Sequence, residues 1–273
     1  PAPMIDNRMK LGQTTALFSA TLSPPSYYKT VLGCDHPQEK TNSYSFPSPF
    51  SQENLCLLVC GQINTRWAAR EESLVPIAQL IHQMVSAKKG NYLAYFPSYQ
   101  YLEKEAEVFS KLYPNIRLIC QSPQMDDQER ADFLQQFDHP DSSPALLGFA
   151  VLGGIYSEGV DLKGEKLLGT AIIGTGLPKV GTEQEMRDYY QQKNNQGYDF
   201  AYRYPGMNKV LQAAGRVIRG QNDRGVVLLL DDRFSTPAYL RLFPEHWHHA
   251  RIVYDNDGLS KILHDFWSES SID

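Results

Sequence analysis

Two short apolar runs decide the fold, Leu55-Cys-Leu-Leu-Val-Cys-Gly61 and Asn91-Tyr-Leu-Ala-Tyr-Phe96. Residues 55–61 and 92–96 are continuous in apolar residues and glycine, and each run has the length of one buried strand. Between them, residues 73–87 have apolar side chains at helical spacing: Leu74, Ile77, Leu80, Ile81 and Met84. A strand, a helix and a second strand in this order are typical of a βαβ unit with parallel strands.

The same alternation continues along the chain after residue 96. It predicts further strands at residues 116–120, 145–152, 167–173 and 225–230, and helices at residues 101–112, 125–137 and 258–267. Short apolar runs that alternate with helices form a mostly parallel sheet covered on both faces. The predicted fold class is therefore α/β, with a RecA-like parallel sheet and helices on both of its faces.

The composition is that of an ordinary globular protein, with 42% hydrophobic and 21% charged residues among 273. No apolar run approaches the roughly 20 residues that a membrane-spanning helix needs, so a cytoplasmic protein without a membrane partner is expected. The four cysteines form no Cys-x-x-Cys pair, which predicts buried reduced thiols rather than a structural metal. The net charge of −5 argues against a protein that is basic throughout, but cations are concentrated between residues 203 and 233.

The sequence Gln212-Ala-Ala-Gly-Arg-Val-Ile-Arg219 has polar residues at helical spacing. This spacing places Gln212, Arg216 and Arg219 on one face of a predicted helix that ends at Gly220. Two planar guanidinium groups on one face suit a phosphate partner. The alternative is that these arginines only solubilise an exposed helix.

Three segments together resemble the motifs of one helicase family. Residues 212–219 resemble motif VI of superfamily 2 helicases, Gln-x-x-Gly-Arg-x-x-Arg, and residues 153–164, Gly-Gly-Ile-Tyr-Ser-Glu-Gly-Val-Asp-Leu-Lys-Gly, resemble motif V. Residues 225–234, which end Leu-Leu-Asp-Asp-Arg-Phe, complete the pattern. From about residue 16 to residue 234 the chain therefore resembles the second motor lobe of the DinG/XPD branch of ATP-dependent DNA helicases.

The resemblance implies half of an ATP site, in a cleft between this lobe and an absent first lobe of the same polypeptide. It assigns Arg219 as the arginine finger toward the γ-phosphate, Arg216 as its partner, and Gln212 as the residue that positions the phosphate or the attacking water. It also assigns four residues to nucleotide binding: Glu158, Gly159, Asp161 and Gly215.

The sequence lacks the motifs that hold the phosphates and the metal in such a site. Neither Gly-x-x-x-x-Gly-Lys-Ser/Thr, the P-loop, nor Asp-Glu-x-His occurs in it. The chain is therefore expected not to hydrolyse ATP alone, with the ligands of Mg²⁺ supplied by the first lobe. The iron–sulfur cluster that this family often has would also lie in the other lobe, so none is expected in this chain.

Single-stranded DNA is the implied partner, moved with 5′→3′ polarity. Tyr95-Phe-Pro-Ser-Tyr99 resembles motif IV and follows a predicted strand, where ligands of open α/β sheets usually bind. Contacts to DNA are expected from Ser98, Tyr99 and Ser157. Residues 14–22 are predicted to form a strand that resembles motif III, in which Ser19 and Thr21 would couple the nucleotide site to the DNA.

The predicted organisation has two parts: residues 1–52, with the motif III-like strand and a linker region, and residues 53–273, the RecA-like lobe. The tyrosines of residues 182–206 either stack on bases or occupy half-buried helix positions. The cluster His246-Trp-His-His249 lacks metal-ligand spacing, so a metal site there is not favoured. The alternative function is a non-catalytic nucleic-acid-binding or scaffold module with the same fold.

Overall fold

The computed structural model describes residues 2–34, 41–139, 144–157, 162–178, 181 and 183–268. The chain divides into two compact units. The smaller unit comprises residues 1–47 and 178–208, and the larger comprises residues 48–177 and 209–273. The sequence-based division placed a boundary after residue 52, and it did not group residues 178–208 with the start of the chain.

The larger unit is built on a seven-stranded sheet in which every neighbouring pair is parallel. The strands are β1 (Leu55–Cys60), β2 (Asn91–Phe96), β3 (Arg117–Cys120), β4 (Leu146–Val151), β5 (Gly169–Ile173), β6 (Gly225–Leu230) and β7 (Arg251–Val253), and their order across the sheet is β3-β4-β2-β5-β6-β1-β7. Side chains on both faces of β2, β5 and β6 are buried, which explains why these strands are apolar without alternation.

The helices are α1 (Ala2–Met9), α2 (Pro25–Leu32), α3 (Arg70–Ala87), α4 (Tyr99–Leu112), α5 (Asp127–Gln135), α6 (Glu183–Asn194), α7 (Tyr204–Ala214), α8 (Pro237–Leu240) and α9 (Asn256–Ser268). The apolar faces of α3, α4 and α9 contribute to the main hydrophobic core, through residues such as Ile77, Phe109 and Leu263. Asp126 and Glu129 form a capping box at the start of α5. The predicted α/β fold with a parallel sheet is confirmed.

Strand β7 was not predicted from the sequence. It has three residues, lies at an end of the sheet beside β1, and buries only Val253. A single buried side chain produces no recognisable apolar pattern, so the sequence offers no signal for this strand.

The strand predicted at residues 14–22 is wrong. Residues 14–19 have no regular structure and are exposed. A strand needs a neighbour to accept and donate its ladder hydrogen bonds, and no strand occurs in the described residues of the smaller unit. At the end of this segment the Ser19 and Thr21 hydroxyl oxygens lie 3.4 Å apart.

The smaller unit has an aromatic cluster of Tyr27, Tyr190, Phe200 and Tyr204. The ring centroids of Tyr27 and Phe200 are 5.1 Å apart, and those of Tyr190 and Phe200 are 4.3 Å apart. Tyr190 and Tyr204 are therefore packed side chains, as the half-buried interpretation of residues 182–206 predicts. In the same segment Tyr189 and Tyr198 are exposed.

Within the described ranges, no helix is both long enough and apolar enough to cross a bilayer.

Candidate functional site

The candidate site lies where the parallel strands of the larger unit end. Because all strands run in the same direction, the turns after β1, β2, β4 and β6 lie at the same end of the sheet. We call these turns, residues 61–66, 97–99, 152–157 and 231–234, the carboxyl end of the sheet. Open α/β sheets usually bind their ligands in this position.

Asp231, the first residue after β6, is the centre of a buried polar cluster. Its side chain is fully buried and accepts hydrogen bonds from the Thr65 hydroxyl, from Arg233 Nε at 2.7 Å and from Arg233 Nη2 at 2.8 Å. Burial acts to raise the pKa of Asp231, but the bonds from Arg233 and Thr65 outweigh it and hold the pKa below its usual value. This ionised carboxylate therefore fixes Arg233 and the turn after β1.

Two further arginines lie beside this cluster. Arg66 Nη1 donates to Asp232 Oδ1 and Oδ2 at 2.8 and 2.7 Å. The Arg70 guanidinium lies 4.9 Å from the centroid of the Tyr101 ring, and its pKa is lowered by burial and by the nearby charge of Arg233. The carboxyl end of the sheet is thus rich in guanidinium groups, although the chain is acidic as a whole.

The helix predicted to run through Arg219 is wrong, because α7 ends at Ala214. Gly215 follows, and glycine is a poor helix former. Arg216 N–H donates to Ala213 O at 3.3 Å in a tighter turn, and the backbone N–H groups of Arg219 and Gly220 donate to one Asp223 carboxylate oxygen, each at 2.7 Å. The Asp223 bonds satisfy donors that a longer helix would have used internally.

The three polar residues of this segment consequently do not share one helical face. Gln212 lies in the last turn of α7 and is half-buried, Arg216 is half-buried in the following turn, and Arg219 is exposed. Arg216 is close enough to Tyr95 for its charge to lower the tyrosine pKa, although burial dominates and raises that pKa. The segment therefore reaches the carboxyl end of the sheet through Arg216.

The motif IV-like residues are anchored by hydrogen bonds. Ser98 Oγ accepts from Tyr101 N–H at 3.4 Å and so caps the start of α4. The Tyr99 hydroxyl accepts from Gln121 Nε2 at 3.0 Å, and Gln121 Oε1 accepts from Val151 N–H at 2.9 Å. Gln121 was missed in the sequence, where it is one of many glutamines, and its position directly after β3 is the only signal.

Ser157, expected to contact DNA, has a buried hydroxyl that donates to Gly154 O at 2.8 Å. In the same turn, the Tyr95 hydroxyl donates to Tyr156 O at 2.8 Å. These bonds tie the turn after β4 to β2. Glu158, Gly159 and Asp161, assigned above to nucleotide binding, lie outside the described residues.

Ser19 and Thr21 are exposed or partly exposed residues of the smaller unit. The described residues hold no group of three His, Cys, Asp or Glu side chains able to bind a metal ion. His249 instead makes a 2.8 Å hydrogen bond between Nε2 and Leu55 O. Cys56 and Cys60 are buried free thiols, and Cys34 and Cys120 are half-buried free thiols.

Residues that sequence reasoning did not select include Thr65, Trp67 and Arg70. All three follow β1, which is directly beside β6 in the sheet. The rule that ligands bind after the strands of an open α/β sheet was applied to β2 and β4, but it was not applied to β1. That rule was the available signal for these residues.

Known proteins resemble this chain in sequence. The chain is 24% identical to the "ATP-dependent DNA helicase chl1" of Aspergillus clavatus, over 81% of this chain and 35% of that protein. It is 28% identical to the "General transcription and DNA repair factor IIH helicase subunit XPD" of Dictyostelium discoideum, over 66% of this chain and 25% of that protein. The chain thus spans about a third or less of these relatives.

Solved structures and a family model complete the comparison. A structure described as "XPD_Helicase" superposes with a TM-score of 0.63 at 19% identity, over 86% of this chain and 42% of that chain. This likeness confirms the predicted RecA-like fold. Residues 81–250 match the model of the helicase C-terminal domain, and because this match covers more than half of the chain, the chain belongs to that family.

Proposed function

We propose that this chain is the second motor lobe of an ATP-dependent DNA helicase similar to the XPD and DinG enzymes, moving 5′→3′ on single-stranded DNA. The family membership supports the lobe assignment. The names of the relatives, which are ATP-dependent DNA helicases and a helicase subunit, support the activity of the whole polypeptide. The ATP site is then completed by a first lobe that supplies the phosphate loop and the Mg²⁺ ligands.

The observation that best supports this role is the turn that presents Arg219. The Asp223 carboxylate accepts from the backbone N–H groups of Arg219 and Gly220, each at 2.7 Å, and Arg219 is an exposed residue. A fixed backbone at an exposed arginine suits an arginine finger, because the charge must reach the γ-phosphate of a nucleotide held by another lobe.

The neighbouring residues have complementary roles in this proposal. Arg216, half-buried near Tyr95, supplies a second positive charge, and Gln212 orients the phosphate or the attacking water. Gly215, which follows α7, allows the nucleotide to approach the backbone closely. Glu158, Gly159 and Asp161 sense the nucleotide from the motif V-like segment.

DNA contacts in this proposal come from Ser98, Tyr99 and Ser157 at the carboxyl end of the sheet. Ser98 and Tyr99 are half-buried at the start of α4, where backbone N–H groups and the helix dipole favour a phosphate. Ser157 contacts DNA only after its bond to Gly154 opens. Ser19 and Thr21 couple this surface to the nucleotide site.

The test uses a polypeptide that joins this chain to the first motor lobe. Turnover of ATP in the presence of single-stranded DNA is compared for wild type, Arg219→Ala, Arg219→Lys and the control Arg117→Ala. Arg117 is exposed and is the first residue of β3, so it lies at the amino-terminal end of the strands, away from the carboxyl end of the sheet. Arginine fingers contribute about 10³–10⁵ to turnover, so Arg219→Ala is expected to lose at least about 10³-fold while the control keeps its activity.

DNA affinity is measured in parallel by fluorescence anisotropy. In the proposed role Arg219→Ala binds DNA like wild type, because the residue acts on the nucleotide. Unchanged turnover in Arg219→Ala would refute the arginine finger. Absence of turnover in the wild-type polypeptide, together with retained DNA binding, would favour the non-catalytic binding module.

A further inference from the structure

The carboxyl end of the sheet has an exposed aromatic side chain to which nothing above assigns a role. Trp67 follows β1 in a short helical turn, and its side chain is 73% exposed. The other two tryptophans of the chain, Trp247 and Trp267, are 3% and 8% exposed and belong to packed interiors. An indole ring that is mostly in water costs free energy, because most of its large apolar surface is not buried.

The backbone around Trp67 is held in place by side chains of the turns that follow β1 and β6. Asn64 Oδ1 accepts from Arg66 N–H at 3.0 Å and from Arg66 Nη1 at 3.1 Å, which closes a local turn. Thr65 is fixed by the buried Asp231, and Arg66 by Asp232. The exposed ring is therefore mounted on a rigid turn, which lowers the entropy that a ligand has to remove on binding.

One guanidinium group, that of Arg70, lies against the ring. The Arg70 guanidinium carbon lies 5.1 Å from the centroid of the Trp67 ring, within the range of a cation–π contact, and Arg70 Nε donates to Thr65 O at 3.3 Å. Arg66 and Arg233 lie nearby, and each is paired with a carboxylate, that of Asp232 or Asp231. An exposed aromatic ring with a guanidinium group beside it can stack a base and attract its phosphate, as in single-strand-binding proteins.

We propose that Trp67, supported by Arg70, is a stacking platform for a nucleobase. The base belongs either to single-stranded DNA or to a nucleotide, since both combine a planar base with phosphate. This inference rests on the proposed function, and it adds the turn after β1 to the ligand-contacting surface.

Tyr254 provides a matched control at the carboxyl end of the same sheet. It follows β7, is 64% exposed, and precedes Asp255 and Asp257. These carboxylates repel phosphate, so Tyr254 is an exposed aromatic residue, like Trp67, with acidic neighbours in the sequence.

The experiment measures tryptophan fluorescence of this chain during two titrations, one with a labelled thymidine oligonucleotide and one with ADP. Stacking on a base quenches Trp67, the exposed fluorophore, and Trp67→Phe is expected to abolish this quenching. Trp67→Ala is expected to weaken the affinity for the quenching ligand by about 5- to 150-fold, as expected for one lost base stack. Trp67→Phe retains most of that affinity because it keeps a ring, and Tyr254→Ala behaves like wild type.

The two titrations identify the source of the base, because only the ligand that reaches Trp67 quenches it. Oligonucleotide binding by anisotropy without quenching by either ligand, and with equal affinities for Trp67→Ala and wild type, would overturn the platform and leave the proposed DNA contacts standing. Failure of the chain to bind either ligand would overturn the platform, whereas the proposed function is tested separately by the turnover of the polypeptide that contains both lobes. Circular dichroism spectra establish that each variant is folded.

Discussion

Glu105 is a buried acid with an unusual electrostatic environment. Its side chain has no exposure to solvent, and neither of its carboxyl oxygens has a hydrogen-bond partner in the part of the chain that the structure describes. Burial raises the pKa of Glu105 from 4.5 to about 9. The carboxyl group is therefore neutral in the folded protein at neutral pH, on a face of α4 that packs into the core.

The raised pKa of Glu105 gives the chain a specific pH dependence. Between the two pKa values, 4.5 and about 9, the folded chain keeps a proton that the unfolded chain releases. The free energy of unfolding consequently falls as the pH rises through this window. At pH 7 the loss relative to acidic solution is about 3 kcal/mol, taking about 1.4 kcal/mol for each pKa unit.

We expect Glu105→Gln to remove most of this pH dependence, because an amide does not ionise. The measurement is urea unfolding at about pH 5 and about pH 8, and the quantity compared is the difference between the two free energies. Glu103→Gln, an exposed position on the same helix, is the control and keeps the wild-type difference. An identical difference in Glu105→Gln and wild type would show that Glu105 is not the buried neutral acid described here.

Residues with a strong local signature were found from the sequence, and residues defined by their partners were not. Arg216 and Arg219 belong to a recognisable motif, so they were selected from the sequence, although their roles stay predictions. Asp223 is important through two N–H···O bonds to a turn that the sequence predicted to be helix. Such a role depends on the folded positions of both partners, and no sequence spacing indicates it.

At the scale of the element, helix α7 shows why boundaries are harder to predict than cores. Apolar spacing continues past Ala214 through Val217, which is buried like a helical residue. Periodicity alone therefore extends the helix, whereas Gly215 and the Asp223 carboxylate favour a turn. The strand cores were predicted well because burial on both faces makes each of them a continuous apolar run.

The turn after β4 depends on a glycine in the left-handed region. Gly153 has φ +76°, and a Cβ at this position would lie 2.8 Å from Lys209 Cδ. Gly164 has φ +62°, and among the described residues, its two chain neighbours aside, none has a heavy atom within 4 Å of such a Cβ. Substitution at Gly164 therefore measures the backbone strain without a steric clash. Left-handed backbone costs a residue with a side chain about 1–2 kcal/mol.

We expect Gly164→Ala to lower the free energy of unfolding by about 1–2 kcal/mol and Gly153→Ala to lower it further, because the Lys209 side chain must also move. Chemical denaturation of the Gly164→Ala variant measures the cost of the backbone strain, and the additional loss in Gly153→Ala measures the cost of moving the Lys209 side chain. Equal losses would mean that Lys209 moves aside without cost. A stable Gly153→Ala variant would contradict the described conformation of the turn.

At the scale of the whole molecule, alternation of strands and helices was sufficient to predict the α/β sheet of the larger unit. It was not sufficient for residues 14–22, which have the composition of a strand and no ladder partner among the described residues of their unit. The grouping of residues 178–208 with the first 47 residues arises from long-range packing of aromatic side chains such as Tyr27 and Phe200. Contacts between distant parts of a chain are not visible in local sequence patterns.

If the ATP site is formed by two lobes, as proposed, this chain alone does not turn over ATP. Its sequence has neither a P-loop nor an Asp-Glu-x-His box, so it lacks the phosphate cradle and the metal carboxylate that phosphoryl transfer requires. We expect phosphate release at the rate of a protein-free solution, with or without single-stranded DNA, and turnover only when the first lobe is joined to the chain. Phosphate release by the isolated chain that is absent in Arg219→Ala would show a complete ATP site within these 273 residues, and the two-lobe assignment would then be wrong.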